Sequence, residues 1–249
     1  MILFGMESLL TRSFLQAVQQ VCPVELCVVP RFGLPESRLL PAVQRHIIMP
    51  ATLFEAAAMY GVPIFELASW HDIAPFLSHR SRIVVCCFPQ RVPAWIRQYP
   101  HCNIHPSLLP ALRGPDPLFY TARGDAPAGI SVHRMDATYD TGDILMQTVV
   151  DVSRCEDEPA FIQQHAIIAA QLFRDDALWN QHATPQPHHG VSYAGHPVDS
   201  DFVLEPHWTF ARVRRFMRCT NARNHPYWVP QLRRWVTTVA QVEMLAWGQ

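Results

Sequence analysis

At 249 residues the chain is long enough to bury a full core without metal or disulfide staples, and it suits one sizeable α/β domain with an appendage. Hydrophobic residues make up 49% against 16% charged, which excludes a disordered protein, and a formal net charge of -1 points to no polyanionic partner. No apolar run reaches the length of a membrane span, the N-terminus lacks the basic segment of a secretory signal, and the seven cysteines carry no C-x-x-C or zinc spacing. The expectation is a cytoplasmic chain with reduced, mostly buried thiols and no metal.

Met1 to Phe4 is a short apolar run closed by Gly5, and Ser8 to Val21 repeats Leu9, Leu10, Phe14, Ala17, Val18 and Val21 at helical spacing. Val24 to Val29 is a second β-rich run, broken into an irregular loop by Pro30, Gly33 and Pro35. Leu53 to Tyr60 reads as helix and Val62 to Leu67 as strand. The continuous apolar run Ile83 to Phe88 fits a strand buried on both faces of a parallel sheet. Further β-rich runs, Ala128 to Met135 and Ile144 to Val152, flank the polar loop Asp136 to Asp143, and a long helix is expected over Glu158 to Asn180. After a linker at Ala183 to Pro187 come a short Val191 to Ala194 segment, a helix at Phe210 to Arg218 and a hairpin around Trp235 to Leu245. This alternation predicts a doubly wound, mostly parallel α/β sheet, whose ligands bind beyond the carboxyl ends of its strands, with a short α+β tail.

The chemistry concentrates in HCNIHPSLLPALRGPDP, residues 101 to 117, and GISVHRMDATYDTGDIL, residues 129 to 145. Asn103 and His105 stand at i and i+2, so an extended backbone turns both to one face. Asp140 sits in a loop before Gly142. Acyl transfer to an amine needs a donor for the developing oxyanion, a group to manage the amine proton and an anion to hold the imidazole. Asn103, His105 and Asp140 supply those functions respectively, with Asp140 favouring the charged form of His105. Each residue has a plainer reading: a hydrogen-bonded structural histidine, or a turn-forming aspartate. Asp143 reads as turn-former or as a hydrogen-bond acceptor behind the site, and His133 as either a substrate contact or a core histidine. Arg212, Arg214, Arg215 and Arg218 read as a solvated helical face, and Trp208, Trp228 and Trp235 as packing the tail onto the body.

The string N-x-H-P-S-L-L-P-x-x-R-G, followed by G-x-x-V-H-x-M and D-T-G-D-I-L, resembles the formyltetrahydrofolate-dependent formyltransferases. It is most like the branch that formylates methionyl-tRNA, and is similar to the glycinamide ribonucleotide and sugar N-formyl branches. The resemblance implies a Rossmann-like catalytic domain over residues 1–182, with 183–249 as linker and truncated C-terminal extension. It implies Asn103, His105 and Asp140 as the catalytic set and 10-formyltetrahydrofolate as donor. The donor would lie against Phe88, Pro89, Gln90, Arg91, Val92, Met135 and Tyr139, partly through backbone groups. The amine acceptor would meet Gly5, Ser107, Arg113, Gly114 and His133. A small acceptor such as an amino sugar or amino acid derivative is expected before tRNA, because polyanion binding relies on clustered positive charge. Donor hydrolysis, and a non-enzymatic binding protein of the same fold, are the other readings.

Overall fold

The computed structural model describes residues 1–31, 52–174 and 176–243. The expected loop after Pro30 lies largely outside them, as does the end of the expected hairpin at Leu245.

The sheet is built from β1 (Ile2–Gly5), β2 (Leu26–Pro30), β3 (Ile64–Leu67), β4 (Ile83–Cys86), β5 (His101–His105), β6 (Gly129–His133) and β7 (Ile144–Val149). Its order is β3-β2-β1-β4-β5-β6-β7: the first five positions are parallel, and β6 and β7 add antiparallel at the β5 edge. Strands β1 and β4 are buried throughout, as their unbroken apolar runs require. Alternate residues feed two cores. Leu3, Val84 and Ile104 join α1 (Leu9–Val18) and α4 (Glu158–Gln171) on one face, while Ile2, Phe4 and Val85 join Trp70, Phe88 and Ile96 on the other. Ser8 caps α1 by accepting from the Thr11 N–H, and Thr52 caps α2 (Leu53–Met59) through a capping box with Glu55.

The long helix expected over 158–180 instead stops at Gln171 and resumes as α5 (Ala177–Asn180). Phe173 and Leu178 both enter the α1-side core, yet five residues along one helix stand about 140° apart, so the chain must bend to bury both. The hairpin also lies upstream of its expected place. It is formed by β8 (Tyr227–Val229) and β9 (Arg234–Val236), with Arg233 in a left-handed turn, and Val239–Glu243 is a short helix, α7.

The tail is fastened to the body through α3 (Pro117–Arg123). Phe119 shares one buried core with Phe202, Val213, Phe216 and Tyr227, so a ring of the body sits within the tail core. Trp208 joins this core and Trp228 pairs with Trp235 across the hairpin, but Trp235 is 46% exposed and does not pack the tail onto the body. Arg212 and Arg215, on α6 (Phe210–Thr220), are more than a solvated face. Their guanidinium groups donate to the carbonyls of Arg123 and Ala122 at the end of α3, where cations suit the helix dipole.

Two buried groups on α4 place opposite demands on pH. Burial raises the Glu158 carboxyl from 4.5 to about 7, against the pull of Arg223 and the Ala222 N–H. The folded chain keeps a proton there that the unfolded chain releases, so this contribution to stability falls as pH rises from 4.5 to 7. Burial lowers His165 from 6.5 to about 4; its Nδ1 donates to Phe161 and its Nε2 is unpartnered. Here the unfolded chain takes up the proton first, so stability is lost as pH falls from 6.5 to 4. The shifts are similar in size and cancel over much of the range. Relative to wild type, Glu158→Gln is expected to lose roughly 1.4 kcal/mol per pH unit on acidification from pH 6.5 to 4.5, read by urea denaturation at stepped pH. A difference between the two proteins that does not change with pH would contradict this account.

Candidate active site

Strand β5 brings the first two groups together, and its antiparallel pairing with β6 supplies a third. In register Asn103 faces His133, and His105 faces Ser131. Asp140 enters from the loop after β6 with φ of 57°, a left-handed conformation that Asp tolerates better than most residues. Its Oδ1 lies 3.3 Å from Asn103 Nδ2, 3.4 Å from His105 Nδ1 and 3.6 Å from His133 Nε2. Its Oδ2 accepts the Gly114 N–H at 2.9 Å. One carboxylate thus gathers both sequence clusters around itself.

The hydrogen bonds assign the protons. His133 Nδ1 donates to the Arg134 carbonyl at 2.7 Å, and its Nε2 lies 3.0 Å from Asn103 Nδ2 and 3.6 Å from Asp140 Oδ1. His105 Nε2 donates to the Leu112 carbonyl at 2.8 Å, leaving Nδ1 toward Asp140 as the atom that gains or loses a proton. Burial pushes the His105 pKa below its usual value, outweighing the upward pull of Asp140 and the Leu112 hydrogen bond. The Asp140 carboxylate favours the charged form of His105, while desolvation opposes it and is the larger influence. Burial raises Asp140 itself, yet His133, His105 and the Gly114 N–H together hold it below the ordinary carboxylate range.

Close backbone approaches hold the loops. A Cβ at Gly142 would run into the Arg134 carbonyl, and one at Gly114 would lie 2.7 Å from the Ala194 carbonyl, with φ already at 114°. Asp136 shapes the loop by accepting from Thr138 N and Thr141 Oγ1, which is the turn-forming role expected of Asp143. Asp143 is instead exposed, and its carbonyl accepts from Arg134 N.

The remaining expected residues divide. Phe88 is buried, its ring edge-on to Phe4 and Trp70, so its side chain belongs to the core. Pro89 and Arg91 are exposed, Gln90 is half-buried, and Val92 and Met135 pack against the cluster that holds Phe88, which draws the 88–92 and 134–140 loops to one place. Tyr139 is exposed. Two expected acceptor contacts face inward. Ser107 is shut off from solvent and donates to the Ala111 carbonyl, while a Cβ at Gly5 would collide with the Thr11 methyl, so Gly5 serves packing of α1 against β1. Arg113, Gly114 and His133 do lie at the Asp140 cluster or one bond from it.

Sequence reading misses Gln186. It falls in the stretch read as linker, with no spacing to mark it, yet it bonds to Arg113, Asp140 and Gly142. The segment around it is tied in as well: Thr184 exchanges both backbone bonds with Ile144, and Ser192 and Ala194 pair with Arg113. Among the described residues no group of three or more His, Cys, Asp or Glu is placed to hold a metal ion, and no helix is long and apolar enough to cross a membrane.

Comparison with known proteins agrees with this geometry. The formyl transferase family model matches residues 82–172, which span β4 to α4 and include Asn103, His105 and Asp140. GDP-perosamine N-formyltransferase of Brucella melitensis is 33% identical over 121 residues, 47% of this chain and 46% of that protein. Methionyl-tRNA formyltransferase of Variovorax paradoxus is 34% identical over 147 residues, 54% of this chain and 45% of that one. The chain spans about half the length of the curated relatives it matches. The same fold occurs in a sugar N-formyltransferase from a Shewanella species, with a TM-score of 0.58 at 18% identity over 94% of both chains. It also occurs in WlaRD, a sugar 3N-formyl transferase whose structure was determined with dTDP and 5-N-formyl-THF, with a TM-score of 0.58 at 16% identity over 88% of this chain and 78% of that one. Over residues 82–172, which carry the strand-borne Asn103 and His105, this chain is similar to the formyl transferase family, and its sheet is the fold that those solved structures share.

Proposed function

We propose that the protein transfers a formyl group from 10-formyltetrahydrofolate to the amine of a small molecule, an amino sugar carried on a nucleotide before an amino acid derivative. The observation that carries this reading is the Asp140 carboxylate held among Asn103, His105, His133 and the Gly114 N–H at the end of a buried strand. The amine nitrogen bonds to the formyl carbon, and the charge that builds on the formyl oxygen meets the Asn103 amide. That amide exchanges its longer bond, 3.3 Å to Asp140, for the oxyanion, and removing such a donor in other enzymes costs about 3 to 4 kcal/mol. The proton lost by the amine passes through water toward Asp140, with His105 Nδ1 beside it. The carbon–nitrogen bond to the folate then breaks and the folate nitrogen takes up a proton, giving a formamide and tetrahydrofolate.

In this reading the donor lies where the 88–92 backbone meets Met135 and Tyr139, and the acceptor approaches Arg113, Gly114 and His133. Residues 1–182 carry the transfer chemistry, and 183–249 brace it. Seven unpaired cysteines suit a reducing, cytoplasmic compartment. Transfer to methionyl-tRNA is the second reading, motivated by the Variovorax relative. Against it, the net charge is -1, and Arg212 and Arg215 are committed to the carbonyls of α3.

The test is calorimetric titration with a stable analogue of 10-formyltetrahydrofolate, followed by product assays with nucleotide-linked amino sugars, amino acid derivatives and methionyl-tRNA. Saturable binding with formamide formed on a sugar amine is expected. Formate release without any amine would identify a hydrolase, and a folded protein that does not bind the analogue would remove the folate reading altogether.

A further inference from the structure

The carboxamide of Gln186 is used to capacity. Its Oε1 accepts from Arg113 Nε at 3.1 Å and Nη2 at 2.6 Å, and its Nε2 donates to the carbonyls of Asp140 at 2.9 Å and Gly142 at 2.8 Å. Two lone pairs and two hydrogens are all such a group has. We propose that Gln186 is a positioning residue of the active site, fixing from the tail segment both the left-handed Asp140 turn and the guanidinium of Arg113. This rests on the reading of Asp140 as a reacting group.

Three features make the proposal more than a local tie. Asp140 sits at φ of 57° and Gly142 is wedged against the Arg134 carbonyl, so the turn persists only where its surroundings over-determine it, and Gln186 satisfies both of its inward carbonyls at once. The 112–114 loop and the 140–142 loop are then locked by two bridges: the Gly114 N–H on the Asp140 carboxylate, and Gln186 between Arg113 and the Asp140 backbone. Gln186 itself hangs between two anchors, the Thr184 pairing with β7 and the Arg113 pairing with Tyr193. A shift of the tail segment therefore moves Arg113 and Asp140 together.

Two near-isosteric substitutions separate this from general stability. Gln186→Met keeps length and removes all four bonds. Gln186→Glu keeps an acceptor for Arg113 but sets a carboxylate against two carbonyl oxygens. Misplacement of reacting groups by about 1 Å costs on the order of 100-fold, so kcat is expected to fall about 10- to 100-fold in both, with donor KM unchanged. Acceptor KM should rise in Gln186→Met and stay near wild type in Gln186→Glu. A second readout needs no activity: the NMR titration of the His105 ring, which Asp140 pulls up and His133 and Arg113 push down. Asp140 is the largest of these three influences, so loosening it in Gln186→Met is expected to lower the His105 midpoint. A folded Gln186→Met with unmoved His105 titration and wild-type kcat overturns the proposal, even where its thermal midpoint drops. Should the wild type transfer no formyl group, the proposed function falls while the His105 titration still decides the role of Gln186.

Discussion

Asp140→Asn is expected to lower turnover by about 10²- to 10⁴-fold while leaving donor binding and stability close to wild type. Asn is the informative replacement because it accepts the left-handed backbone at φ of 57° and keeps an oxygen for the Gly114 N–H, so the turn is retained while the charge and the oxygen that accepts from Asn103 are removed. With the charge goes the acceptor for the amine proton and the one influence that favours protonation of His105 among the charged groups around it. Single-turnover kinetics beside calorimetry on the donor analogue would read both halves. A variant within threefold of wild-type turnover would show that Asp140 shapes the loop and takes no part in proton transfer.

The largest loss of stability is expected from Arg223→Ala. Arg223 holds Asp116 with two parallel bonds, Nη1 to Oδ2 at 2.7 Å and Nη2 to Oδ1 at 2.8 Å, while its guanidinium lies 5.0 Å from the Phe119 ring centre. Both side chains are nearly enclosed, at 12% and 10% exposure. Breaking a buried pair by removing one partner strands the other charge and costs about 3 to 5 kcal/mol, whereas replacing both with apolar groups is often neutral. Equilibrium urea denaturation should show that loss for Arg223→Ala, and most of it should be recovered in Arg223→Met with Asp116→Leu. Glu158 adds a check, since Arg223 is the strongest influence holding its raised pKa down, and that pKa should climb further in the single variant. A single variant within 1 kcal/mol of wild type, a tenth of typical domain stability, would mean the pair is solvated in practice.

The sheet was legible because its signals are local. Runs such as Ile2 to Phe4 and Ile83 to Cys86 can only be satisfied with apolar matter on both faces, and the i, i+2 spacing of Asn103 and His105 fixes their common face once the backbone is extended. Helix α1 followed from its apolar repeat for the same reason. Other features depend on partners far along the chain. The helix from Glu158 breaks because Phe173 and Leu178 must both reach one core, and hydrophobicity along the segment carries no mark of that choice. The turn-forming role fell to Asp136 and not Asp143 because Thr138 and Thr141 fold back onto it.

The same division runs through the site. The sequence by itself determined the proposed reacting residues, Asn103, His105 and Asp140, and the strand that carries two of them. Only the tertiary structure set the balance at His105 between desolvation and a carboxylate 35 residues along the chain, at Asp140. Only the tertiary structure turned Ser107 and Gly5 inward and brought Gln186, 46 residues beyond Asp140, beneath its turn. Residue chemistry is written locally, but protonation and orientation are set by whatever the fold packs alongside.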